Sequence, residues 1–485
     1  MQSQPMPSAK PFQSAQFPKH IPVFDPATAE QIAEVPDGGL EAVNQAVARA
    51  RATFRSGIWR EKIAKERARI LWRVAETVER RIDEIVEVEA RNNGMARWLA
   101  SNLVRAGAEV LRYYAGWVTK IHGQATHINA EGGISGASAQ YHAYTLKEPV
   151  GVAGLIIPWN GPFYGALVKL APALAAGCSC VLKPAEETPL TTLMLPDILA
   201  EAGIPDGVVN IVTGYGETTG AALSAHPDVD KIAFTGSTET GKLIVQAAAG
   251  NLKRVTLELG GKSPVLIYDD ADLSKAIPGA GLGIFINAGQ GCVCGSRIYA
   301  QRGIYQQVVE GLANFARSLK LGGSADPQAQ IGPIISDRQL QRVLGFLEDG
   351  RREGVEIVSG GRRLERKGYF CEPTVVARVR PESRLIREEI FGPVVTVTPF
   401  EDDEEALSDA NNTPYGLAAA AWTRDSGRAH RLARRLEAGT VWLNTQLAWD
   451  ASQPFGGYKQ SGWGYEYGWE GLNAYLNTKA VYAEL

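Results

Sequence analysis

A cysteine on a turn of small residues is the side chain in this sequence best placed to act as a nucleophile. An apolar run ends at Asn287, Ala288 and Gly289; Gln290 and Gly291 follow, and the turn presents Cys292. Glycine leaves the backbone around the thiol nearly bare, so a second reactant can approach closely. Burial as a small hydrophobe is the commoner fate of a cysteine, so the rest of the chain must supply partners for a reactive thiol.

Candidate partners fall at the ends of strand-like segments. Residues 152–157, 179–183, 208–212, 231–235 and 254–257 are apolar and β-prone, and each gap between them carries a helical pattern. That alternation predicts a parallel sheet with crossover helices. Ligands of such sheets sit beyond the carboxyl ends of the strands. There the sequence places Trp159 and Asn160, Lys183 and Glu186, Gly214 and Gly216, Gly236 and Ser237, and Glu258. A second alternation runs from near Ser263 to about Gly457 and contains Cys292.

The remaining elements are scaffold. Val43, Val47 and Phe54 mark a helix over 40–55. Ile70, Val74, Val78, Ile82 and Ile85 mark one longer helix from about Ala64, with Asn93 and Gly94 as its C-cap. Residues 97–119 predict another helix. From His122 to Lys147 the sequence turns β-prone and glycine- and serine-rich (Gly132, Gly133, Ser135, Gly136), as in an extended ribbon. Residues 476–485 are also strand-like, so these segments can pair with each other or with a second subunit.

Composition narrows the function classes. With 485 residues the chain has room for two or three domains. A net charge of −3 gives no basic footprint for nucleic acid, and no apolar run approaches a membrane span. The proline-bearing N-terminus lacks the apolar core of a secretory signal and the arginine-rich helix of a transit peptide. Five cysteines, at 178, 180, 292, 294 and 371, do not form a disulfide framework, and the expected location is the cytoplasm. The Cys-x-Cys spacings do not suit a structural zinc site, and no metal is expected.

Two glycine signals bear on nucleotides. Gly214, Gly216 and Gly220 match the dinucleotide fingerprint with one residue too many. Gly236 to Lys242 follows a strand and fits a P-loop until Leu243 stands where a Mg²⁺-binding Ser or Thr is needed. This disfavours phosphoryl transfer, while a helix N-terminus here still suits a phosphate. A tight β-to-α turn is the plain structural alternative.

Seven segments, PWN (158–160), KPAEETP (183–189), FTGSTETG (234–241), LELGGKSP (257–264), GQGC (289–292), EEIFGPV (388–394) and PFGGYKQSG (454–462), together resemble the NAD(P)-dependent aldehyde dehydrogenase superfamily, from about Pro22 to the C-terminus. The resemblance implies an α/β fold: a Rossmann-type cofactor domain (1–121 with 148–258), an α/β catalytic domain (259–460) and an oligomerisation ribbon (122–147 with 474–485). It implies oxidation of an aldehyde to the acid. Cys292 would be the nucleophile, Asn160 the oxyanion donor beside the Cys292 N–H, and Glu258 the base that hydrolyses the thioester. Lys169 and Glu466 match positions that assist proton movement. Glu258 favours a free acid over transfer to coenzyme A, because relatives using that acceptor generally lack this residue.

For the cofactor, the resemblance places Lys183 and Glu186 at the adenosine ribose, Gly216 and Gly220 near adenine, Gly236 and Ser237 at the pyrophosphate, and Glu389 and Phe391 at the nicotinamide side. Ile156, Ile157, Trp159, Phe234 and Leu259 would line the crevice. A carboxylate at Glu186 repels a 2′-phosphate, so NAD is expected, with NADP as second choice. The substrate is a small-molecule aldehyde, and the assembly is a homodimer or homotetramer.

Substrate information lies in departures from the family pattern. Gly161, Gly165 and Val168 stand where many relatives carry bulky groups, and Gly291 precedes the nucleophile. Small residues predict a wide tunnel for a bulky aromatic or long-chain uncharged aldehyde. Tyr164, Val293, Trp449 and Phe455, with Phe163, would form its walls. Cys294 opens the question of a reversible disulfide with Cys292. The competing readings are a nucleoside-triphosphate enzyme, opposed by Leu243, and a non-catalytic scaffold, opposed by Cys292, Glu258 and Asn160 occurring together.

Overall fold

The computed structural model describes residues 19–130 and 139–485. Gly132, Gly133, Ser135 and Gly136 of the ribbon, and the prolines of the N-terminal segment, lie outside the described residues.

The chain opens with an antiparallel pair, β1 (His20–Asp25) and β2 (Glu30–Pro36). Four helices follow: α1 (Gly39–Ser56), α2 (Ala64–Arg80), α3 (Ile82–Asn93) and α4 (Arg97–Trp117). In α1, Val43, Val47 and Ala50 recur at helical spacing and are buried. The helix ends where Gly57 takes a left-handed φ of 77°, the conformation glycine adopts without a Cβ penalty. The single helix expected from Ala64 is two. At Arg81 (φ −98°, ψ 17°) the chain leaves helical geometry and restarts, so Ile82 begins a new element. The new direction lets Asn92 and Asn93, at the far end of α3, reach the backbone of Glu187, Leu190 and Trp159. Gly94 caps α3 as expected, at φ 85°.

Five parallel strands form the first sheet: β5 (Val152–Ile156), β6 (Ser179–Lys183), β7 (Val209–Ile211), β8 (Lys231–Thr235) and β9 (Arg254–Glu258). Helices cover both faces, so every residue of β5 and β6 is buried. The order runs β9-β8-β5-β6-β7. The edge beside β9 is closed by a short antiparallel strand from far along the chain, β19 (Gly462–Trp463), with Gly462 opposite Glu258. Helix α5 (Pro162–Ala176) crosses from β5 to β6. Pro162 stands at its start, where a missing N–H costs nothing, and Gly177 caps its end.

The second sheet has seven strands, in the order β12 (Glu356–Ser359), β13 (Thr374–Ala377), β14 (Val394–Phe400), β11 (Arg297–Gln301), β10 (Pro264–Ile267), β16 (Ala418–Trp422) and β17 (Thr440–Leu443). Only β12 runs antiparallel to its neighbour. A small pair, β15 (Tyr415–Gly416) with β18 (Tyr458–Lys459), lies beside it. Helix α9 (Leu273–Phe285) follows β10 and delivers the chain to Cys292.

The third sheet is a ribbon of β3 (Ala125–Ala130), β4 (Ala139–Pro149) and β20 (Leu476–Glu484). Of the two pairings left open for these segments, the chain makes the internal one: Leu476 lies opposite Pro149 and Glu484 opposite Tyr141.

Candidate active site

The cysteine turn is built by backbone that few sequences tolerate. After α9, Asn287 (φ 49°), Ala288 (φ 54°) and Gly289 (φ 70°) are left-handed in succession. Left-handed non-glycine residues are costly and persist only where their surroundings hold them. Here Gln290 does the holding. Its side chain is buried, donates to the carbonyls of Asn287 (3.0 Å) and Pro333 (3.3 Å), and accepts the Ile335 N–H (2.9 Å). A Cβ on Gly289 would lie 2.0 Å from the Gly392 oxygen, and one on Gly261 would lie 2.2 Å from the Cys292 carbonyl. Both glycines are therefore required by close approach. Gln290 in the GQGC segment and Gly261 in the LELGGKSP segment carry no signal of these roles in the sequence, because their partners lie far along the chain.

Asn160, just past β5, reaches the same turn. Its Nδ2 donates to the Gln290 carbonyl at 3.0 Å, and Asn287 Nδ2 donates back to the Asn160 carbonyl at 2.9 Å. One N–H of the Asn160 amide is left for another acceptor, and the Cys292 N–H has no acceptor among the described residues. Cys292 is half-buried. Burial, with the carboxyl groups of Glu389, Glu258 and Glu466, pushes its thiol far up, so the resting sulfur is protonated. Cys294 is buried, its N–H donates to the Gly291 carbonyl at 3.1 Å, and all five cysteines are free thiols.

Glu258 ends β9, 2% exposed, and neither carboxylate oxygen has a hydrogen-bond partner among the described residues. The plain alternative for a strand-end carboxylate, pairing with a lysine, is not what the chain does. Burial first, then the neighbouring Glu466, raise the Glu258 pKa well above the usual carboxylate range, against the opposing pull of Lys169. Lys169 and Glu466 instead pair with each other, Nζ to Oε1 at 2.6 Å, with the lysine side chain only 2% exposed. Glu466 is held by exchanging backbone hydrogen bonds with Phe455 (2.7 and 2.8 Å).

Further residues gather at the strand ends of the first sheet. Lys183 Nζ donates to the Pro184 carbonyl (2.9 Å) and lies 3.3 Å from Glu186 Oε2. A Cβ on Gly220 would lie 3.7 Å from that lysine stem, and one on Gly216 would meet nothing within 4 Å. Ser237 caps helix α8 (Thr238–Ala248), accepting the Thr240 N–H at 3.1 Å. Gly236 donates to the Glu258 carbonyl (3.0 Å). Lys242, the lysine of the P-loop-like run, turns to Gln460 Oε1 at 3.0 Å. Ile156, Phe234 and Leu259 are buried in the layer that includes Val43 and Ile244, and Ile157 in the main core, so these side chains form the sheet's packing.

Across from them, Glu389 Oε1 accepts the Gly261 N–H at 2.8 Å, and burial raises its pKa to about 7. Phe391 (φ 57°) meets Trp159 edge-on at 5.2 Å between ring centroids. A narrow crevice lies here, lined by Gly261, Gly291, Cys294, Glu389 and Phe391 among others.

The expected substrate walls divide. Gly161, Tyr164, Gly165 and Val168 share one face of α5. A Cβ on Gly161 would meet nothing within 4 Å, and one on Gly165 only Ile157 at 3.9 Å. A Cβ on Gly291 would lie 3.0 Å from the Cys294 sulfur, so that glycine relieves crowding within the turn. Val168 and Val293 are buried. Phe163, expected as a wall, is fully buried: position 163 falls on the core-facing side of the helix. Trp449 and Phe455 form an edge-to-face row with Trp442 and Tyr467, at centroid spacings of 5.4, 5.0 and 6.3 Å. Tyr467 carried no sequence signal, yet its hydroxyl lies 2.5 Å from that of Tyr164.

A model of the aldehyde dehydrogenase family matches residues 12–481. The mitochondrial aldehyde dehydrogenase of Rattus norvegicus is 44% identical over 467 residues, 96% of this chain and 88% of that protein. The phenylacetaldehyde dehydrogenase of Pseudomonas fluorescens is 43% identical over 471 residues, 96% of this chain and 93% of the relative. Among solved structures, an NAD⁺ complex of the Bacillus cereus aldehyde dehydrogenase superposes with a TM-score of 0.93 at 45% identity, covering 96% of this chain and 94% of that one.

Proposed function

This chain belongs to the aldehyde dehydrogenase family, and from that premise we propose that it oxidises a bulky, uncharged aldehyde, aromatic or long-chain, to the free carboxylic acid with NAD. The observation that carries this reading is the meeting, at the junction of the two large sheets, of a thiol turn, an amide donor and an unpaired buried carboxyl group. Asn160 is hydrogen-bonded to the Cys292 turn, and Glu258 bears electrostatically on the thiol.

The Cys292 thiol gives its proton to water, the thiolate attacks the aldehyde carbon, and the carbonyl becomes a tetrahedral thiohemiacetal. The spare N–H of Asn160 and the Cys292 N–H donate to the oxygen where negative charge develops. NAD, when bound, supplies the hydride acceptor. The acyl group then rests on Cys292 as a thioester, and Glu258, as carboxylate, takes a proton from water to hydrolyse it. The Lys169–Glu466 pair adjoins Glu258 and carries that proton onward. Burial raises both groups, so the Cys292 thiolate and the Glu258 carboxylate that react are minority forms drawn from a protonated resting site.

The residues present fit a dinucleotide. Free helix N-terminal N–H groups beside Ser237 suit a pyrophosphate, and Gly216 and Gly220 leave space at the sheet's edge. Glu186 accepts from ribose hydroxyls and disfavours a 2′-phosphate. Glu389, which holds the Gly261 N–H, and Phe391, edge-on to Trp159, would take the nicotinamide end. The first sheet is thus read as the cofactor domain and the second as the carrier of the nucleophile. The open space over Gly161 and Gly165 supports a bulky aldehyde, in keeping with the phenylacetaldehyde for which the Pseudomonas relative is named. The outer edges of β3 and β20 have no neighbouring strand among the described residues and would meet a second copy of the chain, as dimer or tetramer. Free thiols suit a reducing cytoplasm.

NADH formation with NAD and benzaldehyde tests the reading. Turnover is expected in the wild type and lost in Cys292→Ala; turnover that persists in Cys292→Ala refutes the mechanism.

A further inference from the structure

The same open face of α5 bears a polar feature that an apolar aldehyde would leave unused. Tyr164 stands between Gly161 and Gly165 in the first turn of α5 and is half-buried. Tyr467 comes from the segment that also carries Glu466. It sits at φ 58°, left-handed, where a bulky side chain rarely stays. The Gly468 N–H bonded to the Ala451 carbonyl (2.9 Å) and the edge contact of the Tyr467 ring with Phe455 hold it there. The two hydroxyl oxygens are 2.5 Å apart.

Two hydroxyls carry two hydrogens, and the bond between them uses one. The second has no protein acceptor among the described residues. The nearby Glu466 carboxylate, paired with Lys169 at 2.6 Å, receives no hydrogen bond from either hydroxyl. Burial keeps both phenols protonated, with Tyr164 pushed up to about 12 and Tyr467 further. A spare donor beside a row of aromatic rings, on the helix face that carries Gly161 and Gly165, calls for an acceptor that enters with an aromatic ligand.

We propose that the Tyr164–Tyr467 hydroxyl pair binds an oxygen substituent, ether or hydroxyl, on the ring of an aromatic aldehyde. This deepens the aldehyde oxidation proposed above and rests on it. No bond is made or broken at the pair, which sets specificity by donating one hydrogen bond.

The test compares 4-methoxybenzaldehyde with 4-ethylbenzaldehyde, near-isosteres that differ by an ether oxygen against a methylene. The ratio of their kcat/KM values is measured in the wild type and in the double variant Tyr164→Phe, Tyr467→Phe. Taking the ratio within each preparation cancels intrinsic reactivity between proteins and the fraction of folded enzyme. One neutral hydrogen bond corresponds to a fall of about 3- to 10-fold in the double variant, expressed through KM. A ratio that survives in the double variant overturns the assignment. In the unmodified enzyme, the non-oxidisable ketones 4-methoxyacetophenone and 4-ethylacetophenone should differ about 3- to 10-fold in inhibition constant, the ether binding tighter. Equal constants also overturn it. Failure of the wild type to oxidise either aldehyde overturns the oxidation reading itself.

Discussion

Filling the vacancy on α5 with Gly165→Leu tests whether that space belongs to the substrate. Gly165 lies inside the helix, and a Cβ there makes only an ordinary contact with Ile157 at 3.9 Å. Replacing a mid-helix glycine by a good helix former contributes about 0.8 kcal/mol in propensity, so the variant should melt at or slightly above the wild-type temperature. A substrate phenyl ring packed against this face removes roughly 100 Å² of apolar surface from water. At about 25 cal/mol per Å² this is about 2.5 kcal/mol, or about 70-fold in kcat/KM. An isobutyl side chain in the same volume forfeits much of that term for an aryl aldehyde and far less for acetaldehyde. The assay is the ratio of kcat/KM for 4-ethylbenzaldehyde over acetaldehyde, alongside a thermal melt. A fall of about 10- to 70-fold is expected. An unchanged ratio would show that the substrate lies elsewhere, and a drop of several degrees in Tm would show that the space is not open.

Other consequences follow from the same geometry. Glu258→Gln should halt after one equivalent of NADH with an acylated Cys292 visible by intact mass; continued turnover would remove Glu258 as the base. The single-turnover deacylation rate should rise with pH as Glu258 ionises and level off above its raised pKa. Glu466→Gln removes the nearby carboxylate and leaves Lys169 unneutralised; both effects favour the charged form, so the profile should move to lower pH. A profile that does not move would mean Glu466 does not face Glu258 in the acyl-enzyme. Glu186→Gln should raise the kcat/KM of NADP relative to NAD by about tenfold, the size of one like-charge repulsion at a partly exposed site; a constant ratio would place the ribose elsewhere. Tyr482→Asp, in the exposed outer strand β20, should lower the native mass seen by light scattering if that strand joins subunits. An unchanged mass would place the interface on another surface.

The sequence by itself determined the parts that depend on local pattern. All five parallel strands of the first sheet lie within a residue of their expected places, because short apolar runs between glycine and proline turns leave little choice of element or boundary. The strand ends then put Asn160, Lys183, Glu186 and Glu258 on one rim, and the glycines of the GQGC turn exposed a thiol. The helix from Ala64 was legible as a stripe of Ile and Val, but not its break at Arg81, since the stripe continues through the turn in direction. Only tertiary structure decided the contacts between residues far apart in sequence. The pairing of Lys169 with Glu466 spans 297 positions, and Tyr164 meets Tyr467 across 303. Both pairs exist because β19 returns to the edge of the first sheet beside Glu258, bringing its neighbours against α5. No periodicity encodes that return. Burial, which raises the Glu258 and Cys292 pKa values, is likewise a property of the assembled layers. The sequence therefore named the reactive groups, and the fold set their protonation and the shape of the space before them.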